Sequence, residues 1–135
     1  MNHMILDSSC NKVKFDEMRV AEAQLEHIPE TIGLNQPFMM IMDRGYPSTP
    51  AFLHMMDKQI KFVVRLRKSD DQKEQLALTE EDSLVEIQLD KSRIRHYEGT
   101  ADGERMKELG KICLRMVKVY LENGNTEMLH QFTTF

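Results

Sequence analysis

An aspartate follows directly on an apolar run. Residues 38–42 are apolar without interruption, a pattern typical of a strand buried on both faces, and Asp43, Arg44 and Gly45 come next. Functional sites in open α/β sheets collect at the carboxyl ends of strands, where a carboxylate can bind a hard cation such as Mg²⁺. Asp43 also has an ordinary structural interpretation, because Asp begins turns and glycine supplies the positive φ that many turns need. The pattern alone leaves both interpretations open.

A basic group lies on the next predicted strand, residues 60–66. Its alternation divides the side chains into an apolar face and a largely basic face, the latter formed by Lys61, Val63, Arg65 and Arg67. The basic face would suit a phosphate backbone, and Arg65 is the best candidate for a two-pronged contact. The alternative is a solvated edge strand whose Lys and Arg side chains prevent aggregation.

These two strands require a connection that positions them side by side. Ser48 and Thr49 are plausible N-caps, and Pro50 suits the first position of a short helix that ends near residue 57. The resulting β-α-β unit is expected to be right-handed with parallel strands. Before it, the sequence predicts a short strand over residues 4–6. An amphipathic helix over residues 15–28 follows that strand, and Pro29 ends or kinks it.

The second half of the chain has a different character. Residues 69–82 predict a loop with at most one helical turn. Strands are predicted over residues 84–89, 112–121 and 127–132, and the Asn-Gly pair at 123–124 predicts a hairpin between the last two. We therefore expect residues 69–135 to form a loop and an antiparallel β region, as a separate layer or an insertion in the same domain as residues 1–68.

Composition restricts the class of protein. A chain of 135 residues with 41% hydrophobic and 30% charged residues is long enough for one domain with a core. Neither a membrane-spanning run nor a signal peptide is present, which favours the cytoplasm. The net charge of −4 argues against a general nucleic-acid coating protein, although a local basic surface can still bind phosphate. Cys10 and Cys113 predict reduced, packed thiols rather than a disulfide or a zinc site.

Several motifs in order resemble the middle of DDE transposases of the IS4 type. Asp43-Arg44-Gly45-Tyr46, a short helix and the run at 60–65 match the family's D-R-G-[YF] motif and its following strand. Residues 1–7 and 16–28 are similar to the family's segment before that motif, and residues 115–121 and 127–129 to its later hairpin. The resemblance covers nearly the whole chain.

The resemblance implies a partial RNase H-like core, β-α-β-α-β, followed by an antiparallel insertion region. Such cores cut and join DNA in transposition with three carboxylates and two Mg²⁺ or Mn²⁺ ions, and Asp43 matches the second carboxylate. The family's first aspartate and its glutamate match no residue of this sequence, which suggests an internal or truncated fragment, inactive alone. Arg65, with Lys61 and Arg67, is then expected to contact the DNA backbone. Arg44 and Tyr46 would shape the turn and approach the DNA.

The implied partners are transposon ends, target DNA and a second copy of the chain, in a bacterial cytoplasm and associated with the nucleoid. In the family's sheet, two further strands separate those at residues 4–6 and 38–42. In their absence these two strands are expected either to pair directly or to leave open apolar edges. One alternative is a non-catalytic remnant that binds the DNA backbone weakly. Another is a receiver-like domain whose aspartate accepts a phosphoryl group, but that class needs an acidic pair after its first strand, which this chain lacks.

Overall fold

The computed structural model describes residues 17–32, 38–44 and 48–132. The chain divides into two compact units, residues 1–39 and 40–135. In the first unit, helix α1 spans Glu17–Ile32 and buries Leu25. It ends four residues later than predicted, and Pro29, in its last turn, costs the helix one hydrogen bond near its end. The predicted strand at 4–6 and Cys10 lie outside the described residues.

The remaining elements alternate between strands and helices, with most helices short. In chain order they are β1 (Met39–Met42), α2 (Thr49–Asp57), β2 (Lys61–Arg65), α3 (Gln72–Ala77), β3 (Asp82–Gln88), α4 (Lys91–Ile94), a 3₁₀ turn (Arg95–Tyr97), α5 (Ala101–Leu109), β4 (Lys111–Tyr120) and β5 (Thr126–Phe132). The described helices do not combine the length and the apolarity that crossing a bilayer requires.

The strands form one mixed sheet in the order β1-β2-β5-β4-β3. The pairs β2–β5, β5–β4 and β4–β3 are antiparallel, and His130 of β5 lies opposite Val64 on one side and Met116 on the other. The mixed α/β class is therefore confirmed. The antiparallel strands do not make a separate layer, because β5 inserts between β2 and β4 and places β1 and β2 in the same sheet as β3 and β4.

Local signals account for the β1–α2–β2 unit. The Ser48 side chain accepts a hydrogen bond from the backbone N–H of Ala51 at 3.2 Å, and Pro50 lies in the first turn of α2. The apolar face of α2 packs on β2, where the rings of Phe52 and Phe62 stack with centroids 5.2 Å apart. Burying an apolar side chain of this size stabilises the fold by about 1.5–3 kcal/mol. The predicted cap and the alternation of β2 are both confirmed.

β1 differs from its prediction. It lies at an edge of the described sheet, and its side chains alternate between exposed and half-buried rather than being buried on both faces. Ile41 is 81% exposed. An uninterrupted apolar run indicates a strand but not its neighbours, because burial of the second face depends on elements elsewhere in the chain. Among the described residues, β1 thus lies at an edge of the sheet with apolar side chains exposed.

The segment between β2 and β4 contains more helix than predicted. α3 has six residues, which exceeds one turn, and α4 and α5 were not predicted. Their N-caps are visible in the sequence: the side chains of Asp90 and Thr100 accept hydrogen bonds from the backbone N–H groups of Arg93 and Gly103. Gly103 is required there, since a Cβ would overlap the carbonyl oxygen of Tyr97.

The predicted hairpin between β4 and β5 is confirmed. Tyr120 pairs with Thr126, the N–H of Leu121 donates to the carbonyl of Asn125 at 2.8 Å, and Gly124 has φ +81°. Glycine adopts this left-handed conformation without strain. Cys113 of β4 is free as predicted, but it is exposed rather than packed because it lies on the outer side of the strand.

One polar network enters the core. His130, fully buried, lies with its Nε2 2.7 Å from Oδ2 of Asp71. Oδ1 of Asp71 is 3.3 Å from Nη2 of Arg93, which also bonds the carboxylate of Glu74 at 2.9 Å. These contacts connect the central strand β5 to α3 and α4. Charged groups so close to the core need such partners, because an unpaired buried charge is strongly destabilising.

Candidate nucleic-acid interface

Asp43 lies immediately beyond β1, as predicted, and its side chain is 72% exposed. Its Oδ1 accepts a hydrogen bond from the backbone N–H of Arg44 at 2.8 Å, which is the turn-stabilising role that Asp commonly plays. The same oxygen lies 3.6 Å from Nη1 of Arg65 at the end of β2. The structure therefore combines the turn interpretation of Asp43 with a position beside the basic strand.

Arg65 makes a two-pronged contact with a residue that the sequence did not single out, Glu127 of β5. Its Nε donates to Oε2 at 3.0 Å and its Nη2 to Oε1 at 2.8 Å. The antiparallel register places Arg65 opposite Leu129 of β5. Glu127 lies two residues before Leu129 on the same strand, so its side chain projects from the same face of the sheet as that of Arg65. This fork geometry is the one in which a guanidinium also binds a phosphate.

Arg44 binds the same carboxylate. Its Nη2 donates to Oε1 of Glu127 at 2.5 Å and to Oε2 at 2.6 Å. Two guanidinium groups thus converge on one carboxylate, with Asp43 beside them. We call Asp43, Arg44, Arg65 and Glu127 the arginine cluster. Two carboxylates and two guanidiniums give it a formal charge of zero.

Exposure within the arginine cluster is uneven. The Glu127 side chain is 14% exposed, whereas those of Arg44 and Arg65 are 44% and 41% exposed. Hydrogen bonds from Arg65 and then from Arg44 lower the pKa of Glu127 from 4.5 to about 2, and the bond to Glu127 raises the pKa of Arg65. Glu127 is consequently ionised at every physiological pH, and the two guanidiniums remain accessible to solvent.

The other predicted DNA contacts lie apart from the arginine cluster. Lys61 begins β2 on the same face as Arg65, about 13 Å away along the strand. Arg67 is exposed beyond the end of β2, where its backbone N–H donates to Oδ2 of Asp70 at 2.7 Å. Tyr46 lies outside the described residues. The structure therefore joins Arg44 and Arg65 to Asp43 and leaves Lys61 and Arg67 as neighbours.

A cavity of about 690 Å³ adjoins the arginine cluster, and Arg44 and Glu127 form part of its wall. Further cations on the wall are Arg67, Lys68 and Lys118. Lys118 lies with its Nζ 5.5 Å from the ring centre of Tyr120, and a hydrogen bond to Glu81 raises the pKa of that tyrosine. The wall thus carries basic side chains beside the arginine cluster, together with the carboxylates of Glu80 and Glu81.

The donor set does not fit a divalent metal. Across residues 17–32, 38–44 and 48–132, the structure has no group of three or more His, Cys, Asp or Glu side chains able to hold one. Both oxygens of Glu127 are taken by guanidiniums, and Asp43 faces Arg65. Mg²⁺ and Mn²⁺ prefer several oxygen ligands, and a nearby guanidinium opposes a second positive charge.

Glu127 is the residue of this interface that sequence reasoning missed. The hairpin signal placed it near the start of the last strand, but nothing in the local pattern pairs that strand with β2. Arg65 and Glu127 are 62 residues apart in the sequence, and only the pairing of β2 with β5 brings them together.

No protein-family model, curated protein or solved structure matches this chain.

Proposed function

We propose that this chain is a segment of an RNase H-like DDE transposase core of the IS4 type, and that its arginine cluster contacts the DNA backbone. The convergence of Arg44 and Arg65 beside Asp43, at the ends of β1 and β2, is the observation that carries the proposal. Strand ends of this kind are where sites gather in α/β sheets. The choice of family rests on the resemblance of the D-R-G-Y motif, and of the strand that follows it, to IS4-type transposases.

Charge and geometry support phosphate as the group recognised. Both guanidiniums are half-exposed, and arginine forks match the paired oxygens of a phosphodiester. Lys61 on the same face of β2 and the cavity-wall residues Arg67, Lys68 and Lys118 add cations for further phosphate contacts. Contacts of this kind position DNA without reading its sequence.

A second candidate function is DNA-backbone binding without catalysis. The described side chains favour it, because Asp43 stands without a second carboxylate that is free to share a cation. Strand transfer by this chain would need two further carboxylates beside Asp43, so the catalytic part of the proposal concerns a larger assembly. Both candidates predict that this chain alone does not cleave supercoiled DNA in the presence of Mn²⁺. Cleavage that is lost in Asp43→Asn would show that the chain itself is catalytic and would overturn the second candidate.

The test of DNA contact is a salt series with Arg65→Ala. Binding to a mixed-sequence duplex is expected to weaken about ten-fold and the slope of log K against log salt to fall by about one, because one phosphate contact is lost. Arg105→Ala is the matched control, since Arg105 is similarly exposed but pairs with Asp57 on α2. The proposal would be contradicted if the two substitutions weakened binding equally, or if the affinity for DNA did not change across the salt series.

A further inference from the structure

Every polar edge of the Arg65 guanidinium faces a carboxylate. Its Nε and Nη2 bind the two oxygens of Glu127, and its Nη1 lies 3.6 Å from Asp43. Arg44 uses one nitrogen, Nη2, for the same two Glu127 oxygens. A DNA phosphate therefore cannot take the Nε–Nη2 fork of Arg65 unless Glu127 leaves it.

We propose that Glu127 occupies the phosphate position of the arginine cluster in the free chain and that a DNA phosphodiester displaces it. The inference deepens the proposed function and rests on it. A carboxylate and a phosphodiester each present two oxygens to a guanidinium fork, so one replaces the other with little change in the arginines. Glu127 thereby sets the affinity of the site, as an internal competitor for the backbone.

The charge balance supports this exchange. With Glu127 in place the arginine cluster is neutral and attracts DNA weakly, whereas withdrawal of Glu127 leaves two guanidiniums against Asp43 alone. Protonation does not release Glu127 under ordinary conditions, because its pKa is held at about 2. The displacing group must then be a competing anion, and a polyanionic backbone presents many such groups at high local concentration.

The decisive variant is Glu127→Gln, which keeps the side-chain shape and removes its charge. Binding to a mixed-sequence duplex is expected to tighten about three- to ten-fold, the range that loss of one or two exposed ion pairs gives.

Glu86→Gln is the matched control. Glu86 also forms an exposed ion pair, with Lys111 at 2.7 Å, and its substitution changes the net charge by the same amount. Binding should change by less than about two-fold, since screening limits the effect of a distant charge. In the double variant Glu127→Gln with Arg65→Ala, most of the gain should disappear.

If Glu127→Gln does not fold, the displacement of Glu127 can be tested by a measurement on the wild-type chain. The Nε–H resonance of Arg65 is followed by NMR during addition of the DNA duplex and, separately, of inorganic phosphate. Exchange of partners predicts a shift of this resonance in both titrations. A resonance that stays fixed while DNA saturates the chain overturns the inference.

The outcomes separate this inference from the proposed function. Wild-type binding that depends on Arg65, together with a Glu127→Gln variant that binds no tighter, rejects the displacement and leaves the backbone contact standing. Absence of binding by wild type and both glutamine variants at low salt rejects the backbone contact, and the displacement with it.

Discussion

At the scale of single residues, Glu127 is the side chain on which the interface depends. Two arginines from different strand ends meet on it, and neither is positioned by local sequence alone. Asp43, the residue that motif reasoning placed first, is more exposed and makes weaker contacts. The arginine cluster is therefore held together by a carboxylate that the motif does not contain.

The acid response of Glu127 is a test of this arrangement. Its pKa is lower in the folded chain than its ordinary value of 4.5, so the unfolded chain binds more protons and the stabilisation is lost as the pH falls from about 4.5 toward 2. Glu127→Gln should melt below wild type at neutral pH, and this difference should stay constant between pH 7 and 5 and shrink below pH 4.5. Thermal melts across this range check it. A difference that vanishes already by pH 5.5 would contradict the double arginine contact.

At the scale of elements, the β1–α2–β2 unit is where local sequence and structure agree best. The local signals are a capping serine, a proline in the first turn and an alternating strand. They favour the same helix and strand that the packing of Phe52 on Phe62 stabilises. Such agreement positions Asp43 and Arg65 reproducibly, since each lies at or just beyond the end of a strand of this unit.

Loss of the α2 cap is expected to weaken the unit. Ser48→Ala removes the acceptor for the Ala51 N–H and should lower the free energy of unfolding by about 1 kcal/mol. Chemical denaturation measures the change. Ser69→Ala is the control, because Ser69 is exposed in the turn after β2 and should alter stability by less than about 0.5 kcal/mol. Similar losses in both variants would show that the Ser48 hydroxyl is not the cap.

At the scale of the whole sheet, β5 organises the described part of the fold. It pairs with β2 and β4, carries Glu127 on one face and His130 on the other, and contacts α3 and α4 through the Asp71 and Arg93 side chains. The interface and the buried polar network thus lie on opposite faces of the same strand.

The edge of the sheet predicts self-association. β1 is short and apolar, and its exposed Ile41 lies on an edge of the described sheet, a feature that favours pairing with another chain. Ile41→Lys should lower the apparent molar mass measured by analytical ultracentrifugation at high protein concentration. Leu76→Lys is the control, because Leu76 is equally exposed but lies on α3 rather than on a strand edge. An unchanged mass in Ile41→Lys would exclude this edge as the contact.

The sequence by itself determined the strands, the capped helix α2 and the hairpin at Gly124, because each depends on residues close together in the chain. It also placed Asp43 at the end of the first strand and Arg65 on the second strand of one β-α-β unit. The helices α4 and α5 were missed although Asp90 and Thr100 are good caps, since their short apolar patterns are weak beside the flanking strands.

Only the tertiary structure decided which strand lies beside β2 and which face of β1 is covered. Strand order depends on contacts between residues far apart in sequence. The alternation of apolar and polar residues within a strand does not identify the strand that pairs with it. For that reason the apolar run of β1 became an edge with Ile41 exposed. The same long-range pairing brought Glu127 between Arg44 and Arg65 and so formed the arginine cluster.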